Sequence, residues 1–265
     1  MKFEKIILDE SSWLDAYIAD KTDHFTRKAI LIIPGGAYEF VSVKNEGEPI
    51  AHAFIPHGFN AFVLHYSVAR ERTYPAQLIQ ASKAIKHIKD NAEEYGIDKD
   101  EIYAVGFSAG GHLCASLGTM WNKKEIYDEI DMPYGYNKPK GIMLIYPVIS
   151  GISEYSHKGS FQNLFGTDNP TEEQLKEASI ELKVNADASP AYIVHSAEDA
   201  GVPAENSLLL AAAYSKNKLS YELHIYPKGQ HGFGLGNRIT WLGYEGNLIE
   251  GLDWVKSASD WTKKI

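Results

Sequence analysis

The chain is poor in cysteine, in long apolar runs and in positive charge. Its 265 residues include one cysteine, Cys114, which excludes an internal disulfide and makes a reducing compartment the simpler interpretation. No apolar run approaches the roughly 18 residues that a membrane helix needs. Acidic residues enter within the first ten positions, which disfavours a signal peptide. We therefore expect a cytoplasmic protein that does not bind a membrane.

The charge balance limits the partners further. Lys and Arg total 26 against 35 Asp and Glu, giving a formal net charge of −9. Nucleic-acid binders need a positive footprint that displaces counterions, and anionic membranes also attract positive charge. We predict neither partner, and we leave open a homo-oligomer. The hydrophobic fraction of 44% is that of a globular chain able to bury one sizeable core.

Short apolar runs alternate with longer helical patterns, which is typical of a largely parallel sheet covered by helices. The runs predict strands at 5–8, 13–19, 29–33, 61–66, 102–105, 141–146, 191–195 and 221–226. Helical spacing predicts helices at Pro75–Tyr95, at Ser207–Tyr214 and between Leu248 and Ala258. We predict one α/β domain over 1–265, with helices on both faces of a mostly parallel central sheet.

Residues 150–184 depart from this alternation. They are polar and rich in loop-forming residues, with a short charged helix expected near Thr171–Ala178. We interpret this stretch as a short, lid-like insertion over one end of the sheet and not as a second domain.

The segment from Ile102 to Leu113 carries the clearest chemical signal. It runs from an apolar strand through Gly106-Phe107-Ser108-Ala109-Gly110 to an apolar helix beginning at Leu113. A Gly-x-Ser-x-Gly between strand and helix predicts a nucleophile elbow, a tight turn that lifts Ser108 above the sheet. The helix N-terminus supplies positive potential where negative charge develops. The alternative is a glycine-rich connection with an ordinary capping serine.

A serine nucleophile needs a base to remove its proton and a carboxylate to orient that base. In this topology both follow later strands, in the order serine, acid, histidine. Asp199 lies in the loop after the strand at 191–195, with Glu198 as its close competitor. We favour Asp199 because the shorter carboxylate is the usual orienting acid.

His231 is the candidate base because it lies in a glycine-rich loop after the last predicted strand. We expect His112 to pack behind the elbow and His65 to be a core residue, and His157 has a surface-like context without chemical neighbours. No His, Asp or Glu cluster shows a metal-ligand spacing. We predict neither a metal nor a cofactor.

The loop after the strand at 29–33 reads Pro34-Gly35-Gly36-Ala37-Tyr38. A tetrahedral oxyanion needs backbone N–H donors that secondary structure does not use, and glycines present them at close range. We assign the oxyanion hole to the N–H groups of Gly36, Ala37 and Ala109. A tight turn after a strand is the alternative for this loop alone.

These segments together resemble α/β-hydrolases of the esterase/lipase branch, which includes acetyl esterases and acetyl-xylan-esterase-like sugar deacetylases. The likeness covers nearly the whole chain and is carried by Pro34–Tyr38, Tyr74–Leu78, Gly106–Leu113, His195–Pro203 and Gly229–Phe233. It implies an α/β-hydrolase fold, with Ser108 as nucleophile, Asp199 as orienting acid and His231 as general base. The loop departs from the related His-Gly-Gly-Gly pattern at Pro34 and Ala37.

The resemblance implies hydrolysis of small acyl esters, with an acetylated sugar or xylan fragment as the preferred substrate class. The short insertion predicts a shallow pocket for acetyl-sized groups, with Tyr38 as a substrate-binding residue and Phe40, Tyr146 and Trp241 as further lining candidates. Three alternatives stay open: a serine peptidase on the same scaffold, a non-catalytic ligand-binding protein, and acyl transfer to a sugar or thiol.

Overall fold

The computed structural model describes residues 1–240, 243, 245–249 and 251–265. Strands form where the apolar runs predict them: β1 (Lys2–Asp9), β2 (Ser12–Ile18), β3 (Arg27–Ile33), β4 (Phe59–His65), β5 (Ile97–Phe107), β6 (Ile142–Ile145), β7 (Ala191–Ser196) and β8 (Tyr221–Tyr226). The helices are α1 (Val43–Glu46), α2 (Glu48–Phe54), α3 (Ala76–Asp90), α4 (Ala92–Tyr95), α5 (Ser108–Thr119), α6 (Lys124–Glu129), α7 (Lys158–Phe165), α8 (Glu172–Glu177), α9 (Glu205–Lys216) and α10 (Trp254–Trp261).

The eight strands form one sheet in the order β1-β2-β4-β3-β5-β6-β7-β8. The β1–β2 and β2–β4 pairs are antiparallel, and every pair from β4–β3 to β7–β8 is parallel. The carboxyl ends of the parallel strands therefore meet at one edge, where ligands bind in open α/β sheets. The predicted fold class is confirmed.

Helices cover both faces of this sheet, as predicted. On one face α3, α5 and α9 bury apolar side chains such as Ile85 and Leu113. On the other face α2 and α10 bury Phe54 and Trp254. Neighbouring strand residues point to opposite faces, so the central strands are apolar on both sides and read as continuous apolar runs.

Several boundaries differ from the prediction. The helix after the elbow begins at Ser108 and not at Leu113. Its glycines, which disfavour a helix interior, are required by space: a Cβ on Gly110 would lie 2.2 Å from the Ile33 carbonyl oxygen. The C-terminal helix begins only at Trp254, where the Asp253 side chain accepts the Lys256 N–H and caps it. The pattern over 75–95 is divided at Asn91 into two helices.

Residues 150–184 contain more helix than predicted. The charged helix near Thr171 is present as α8, with a capping box formed by Thr171 and Gln174. The additional helix α7 is capped by His157, whose side chain accepts the Ser160 N–H. From α7 the Asn163 amide donates to the Ala37 carbonyl oxygen at 3.0 Å, so this segment packs beside the loop that follows β3.

The described ranges define helix lengths, clusters of metal-ligating side chains and the position of the cysteine. There, no helix is both long and apolar enough to cross a membrane. No cluster of His, Cys, Asp or Glu in those ranges is arranged to hold a metal ion. Cys114 is an unpaired, buried thiol in α5.

Candidate active site

Ser108 lies at the sharp turn from β5 into α5, at the carboxyl edge of the sheet. Its φ of 53° is in the left-handed region, which a non-glycine residue adopts at a cost of about 1–3 kcal/mol. A Cβ on Gly106 would lie 2.2 Å from the Gly110 carbonyl oxygen, so the predicted need for glycine on both sides of the serine is borne out. The strained turn leaves the serine only 8% exposed, at the floor of a cleft.

The structure brings together Ser108, at the start of α5, and His231 and Asp199, from two separate loops. Ser108 Oγ lies 2.8 Å from His231 Nε2, and His231 Nδ1 lies 2.8 Å from Asp199 Oδ2. The two hydrogen bonds use opposite nitrogens of one imidazole, so the ring links the hydroxyl to the carboxylate. This is the geometry that activation of a serine by a histidine requires.

Asp199 is held as an anion by its surroundings. Its Oδ1 accepts the N–H groups of Gly201 at 2.9 Å and Val202 at 2.8 Å. Burial raises the pKa of Asp199, but interactions with His195 and His231 outweigh it and hold the pKa well below its usual range. The competing Glu198 is exposed to solvent. Burial and hydrogen bonding, more than side-chain length, therefore distinguish the two carboxylates.

The loop after β3 has an unusual backbone. Gly36, Ala37 and Tyr38 all have positive φ, at 118°, 55° and 57°. The N–H groups of Gly36 and Ala37 have no hydrogen-bond partner among the described residues. Ala109 is in the first turn of α5, where N–H groups have no partner within the helix. Three backbone donors of the predicted oxyanion hole are thus free beside Ser108.

The cleft above Ser108 is small, with a volume of about 240 Å³. Phe40 lines it and is 56% exposed, consistent with the prediction for this residue. A second lining candidate, Trp241, lies outside the described residues. The described residues that line the cleft are Gly36, Ala37, Phe40, Ser42, Asn45, Glu46, Ser108, His157, His231 and Gly232.

Tyr38 lies behind the cleft, contrary to the prediction that it binds substrate. Its side chain is 2% exposed, and its hydroxyl lies 2.8 Å from His112 Nδ1. His112 Nε2 in turn lies 2.7 Å from the Ala178 carbonyl oxygen, and burial lowers the pKa of His112 to about 4. The pair therefore supports the elbow and its loop from below, and His112 packs behind the elbow as expected.

Sequence reasoning missed Glu46 at the end of α1. Its carboxylate is 3% exposed and lines the same cleft as Ser108. Oε2 accepts the Gly35 N–H at 2.8 Å, and Oε1 accepts the Tyr146 hydroxyl at 2.8 Å. Tyr146, a predicted lining residue, is fully buried and is not among the described residues that line the cleft; its ring packs edge-on against His231. No motif or periodicity marks Glu46.

His157 also lies at the cleft, although its sequence context indicates a surface residue without chemical neighbours. Its Nδ1 accepts the Ser160 N–H at 3.3 Å, which places the proton of the neutral ring on Nε2. Burial lowers the pKa of His157, and nearby His231 lowers it further. The cleft wall formed by the insertion therefore presents a neutral imidazole. The context was misleading because the insertion folds back over the sheet edge.

Comparison with known proteins gives the chain a family. A family model described as BD-FAE matches residues 14–214. An endo-1,4-beta-xylanase B of Butyrivibrio fibrisolvens is 35% identical over 84% of this chain. An acetylxylan esterase of Xylanibacter ruminicola is 31% identical over 87% of it. The chain spans 35% and 45% of the length of these two curated relatives.

Solved structures resemble the chain over almost its full length. An acetyl ester-xyloside bifunctional hydrolase from Caldicellulosiruptor lactoaceticus has a TM-score of 0.84 and 32% identity, covering 98% of this chain and 96% of that one. A carboxylesterase from Lactobacillus plantarum has a TM-score of 0.86 and 26% identity, covering 100% and 98%. With its serine elbow at the carboxyl edge of an eight-stranded sheet, the chain belongs to the BD-FAE family of α/β-hydrolases.

Proposed function

We propose that the protein is a serine carboxylesterase that hydrolyses short acyl esters, chiefly acetyl esters, through an acyl-serine intermediate. The observation that carries this proposal is the continuous hydrogen-bonded chain from Ser108 Oγ through His231 to Asp199, with both links at 2.8 Å. Free backbone N–H donors lie beside the hydroxyl. Relatives and structural neighbours named as esterases support the same activity.

In the first half-reaction His231 Nε2 takes the proton of Ser108 as Oγ attacks the ester carbonyl carbon. The carbonyl oxygen becomes an anion, which the N–H groups of Gly36, Ala37 and Ala109 stabilise. Each such donor is worth about 2.7–4 kcal/mol of transition-state stabilisation. His231 then gives its proton to the departing alkoxide, the carbon–oxygen bond to the alcohol breaks, and acyl-Ser108 remains.

In the second half-reaction the same imidazole activates a water molecule. Its oxygen attacks the acyl carbon, His231 Nε2 takes its proton, and the oxyanion forms against the same three N–H groups. Collapse returns the proton to Ser108 Oγ and releases the carboxylic acid. Asp199 stabilises the imidazolium in both halves through its contact with Nδ1. This scheme needs no cofactor.

The dimensions of the cleft favour a small acyl group. Its volume of about 240 Å³ is below the roughly 300–1,000 Å³ of sites for drug-sized ligands. A larger, separate cavity of about 750 Å³ is lined by Ser156 and Lys158, the residues on either side of His157. We propose acetylated sugars as the substrate class, with the acetyl group at Ser108 and the sugar alcohol directed towards the wall formed by residues 156–158.

The insertion at 150–184 is then part of the substrate site within a single domain spanning 1–265. It contributes His157 to the cleft wall and Asn163 to the loop that carries Gly36 and Ala37. We propose that this segment is a fixed cap that limits the size of the acyl group and contacts the alcohol.

A hydrolysis screen tests the proposal. The substrates are p-nitrophenyl esters from acetate to octanoate, acetylated xylo-oligosaccharides and an aminoacyl anilide. We expect the highest kcat/KM for acetate, a steady fall with chain length, and release of acetate from the oligosaccharides. Faster cleavage of the anilide would favour a peptidase, and absence of turnover on every substrate would favour a binding protein. Product analysis with competing sugar or thiol acceptors detects acyl transfer.

A further inference from the structure

Glu46 ties together three segments that meet at the cleft. Its Oε2 accepts the Gly35 N–H, next to the donors at 36 and 37. Its Oε1 accepts the hydroxyl of Tyr146, which follows β6. The same hydroxyl oxygen accepts the Gly234 N–H at 3.1 Å, from the loop that carries His231. One carboxylate thus connects the oxyanion loop, the end of β6 and the histidine loop.

Burial of the Glu46 carboxylate destabilises the folded state. Within the described residues, Glu46 is almost fully buried and accepts hydrogen bonds from the neutral Gly35 N–H and Tyr146 hydroxyl, without an ion pair to a Lys or Arg. Burial raises its pKa, while hydrogen bonds from Tyr146 and Gly35 and the proximity of His231 oppose that shift. Both oxygens accept hydrogen bonds from donors, which suits the ionised form. A buried anion without a salt bridge is costly unless other contacts compensate.

Neither of the triad hydrogen bonds involves Glu46. Its side chain nevertheless lies directly under the strained loop: a Cβ on Gly35 would lie 2.9 Å from Glu46 Oε2 and 2.9 Å from the Ser108 Cβ. Gly35 therefore fits between the carboxylate and the nucleophile, directly before the two residues whose N–H groups form the predicted oxyanion hole. The positive φ at Ala37 and Tyr38 is strained for non-glycine residues, so this loop needs such an anchor.

We propose that Glu46 is a positioning residue for the hydrolysis, an anionic anchor that holds the oxyanion loop and the histidine loop in register with Ser108. This inference rests on the proposed esterase function. Glu46 does not contact the substrate in this account; it acts through the Gly35 N–H and the Tyr146 hydroxyl. Because the oxyanion forms only in the transition state, the anchor acts on turnover and not on ground-state binding.

The test compares Glu46→Gln with a matched control, Glu48→Gln. Glu48 lies two residues further on, and its side chain is 66% exposed. Active sites are counted by complete labelling with a fluorophosphonate, and kcat and KM on p-nitrophenyl acetate are expressed per labelled site. We expect Glu46→Gln to label completely but slowly, with kcat per site lowered roughly 10- to 100-fold and KM within about twofold of wild type. Glu48→Gln should match wild type.

The labelling separates positioning from mere structural support. A variant that is only less well folded would show fewer labelled sites with an unchanged kcat per site, and that result would overturn the proposal. A raised KM with unchanged kcat would also overturn it. If Glu46→Gln does not fold, Tyr146→Phe removes the hydroxyl that contacts both Glu46 Oε1 and the Gly234 N–H, leaves the Gly35 contact in place, and must lower kcat per site in the same way. A wild-type protein inactive on every ester would instead remove the proposed function itself.

Discussion

The two walls of the cleft are built in different ways. The sheet-edge wall consists of the loop after β3, the elbow at Ser108 and the loop that carries His231, with Asp199 hydrogen-bonded behind His231. It is held by buried carboxylates and by backbone at positive φ. The insertion wall consists of residues 156–158, and helix α8 beside it has no buried residue. The sheet-edge wall is strained and buried, and the insertion wall is more open to solvent.

This difference indicates a division of function between the two walls. Strain and buried charge are maintained only where the surrounding structure over-determines them, which is typical of sites that perform chemistry. The insertion wall offers a neutral imidazole, His157, and borders the larger cavity. We expect changes in the sheet-edge wall to affect turnover and changes in the insertion wall to affect the choice of alcohol.

The strongest test of this division is Ser108→Ala. Removal of the nucleophile should lower kcat roughly 10⁵-fold or more, while the melting temperature stays near that of wild type. The assay is p-nitrophenyl acetate hydrolysis combined with thermal unfolding. Ser116→Ala is the matched control because the Ser116 hydroxyl lies in the same helix and only donates to the His112 carbonyl oxygen. Activity retained in Ser108→Ala would mean that the sheet-edge wall does not supply the nucleophile.

Asp199→Asn should have the next largest effect, a fall of about 10⁴-fold in kcat, because an amide favours the wrong tautomer of His231. The neighbouring Glu198→Gln should leave kcat unchanged, since the Glu198 side chain is exposed. Steady-state kinetics on both variants distinguish the carboxylates. A larger loss of kcat in Glu198→Gln than in Asp199→Asn would mean that the exposed Glu198, and not the buried Asp199, orients His231.

Glu46 gives a pH test of the sheet-edge wall. Burial raises the pKa of Glu46 above its unfolded value of about 4.3, although Tyr146 and His231, which face it, oppose the shift. A raised folded pKa contributes stability at pH below the unfolded value, and that stability is lost as pH rises towards the folded value. Stability of Glu46→Gln relative to wild type should therefore increase from pH 4.5 to pH 7.5 in urea unfolding. If the stability of Glu46→Gln relative to wild type decreases from pH 4.5 to pH 7.5, burial does not raise the pKa of Glu46.

The smallest effect is expected in the insertion wall. His157→Asn keeps an oxygen that caps α7 but removes the Nε2–H group from the cleft. Loss of one hydrogen bond to the alcohol should raise KM for acetylated xylo-oligosaccharides about two- to tenfold. The kcat for p-nitrophenyl acetate should stay near wild type. Equal losses of kcat/KM on both substrates would mean that His157 takes part in the reaction itself. The two walls would then not differ in function.

The sheet-edge wall was largely predictable because its signals are local. The turn at Ser108 requires glycine on both sides, because a Cβ at Gly106 or Gly110 would lie 2.2 Å from a backbone carbonyl oxygen. The order of serine, acid and histidine along the chain follows from the strand order. The choice between Asp199 and Glu198 was less secure because it depends on burial, which adjacent residues in a loop do not reveal. The catalytic roles, the cytoplasmic location and the oligomeric state stay predictions.

The remaining features depend on contacts between distant segments. The Glu46–Tyr146 bond joins residues 100 positions apart, and neither residue belongs to a periodic pattern. Helix α7 was missed because Gly159 suggests a loop, whereas a cap by His157 and a left-handed Gly166 define the helix. A shallow pocket lined by aromatic residues predicts that Tyr38 contacts substrate, but the Tyr38 hydroxyl pairs with His112 inside the molecule.

The most direct test of the central claim is to locate the covalent adduct that the protein forms with a fluorophosphonate. Intact mass should show one adduct per chain, and peptide mapping should place it on Ser108. Ser108→Ala should form none, and His231→Ala should react far more slowly than wild type. An adduct on another residue, or wild-type protein that stays unlabelled, would contradict the account.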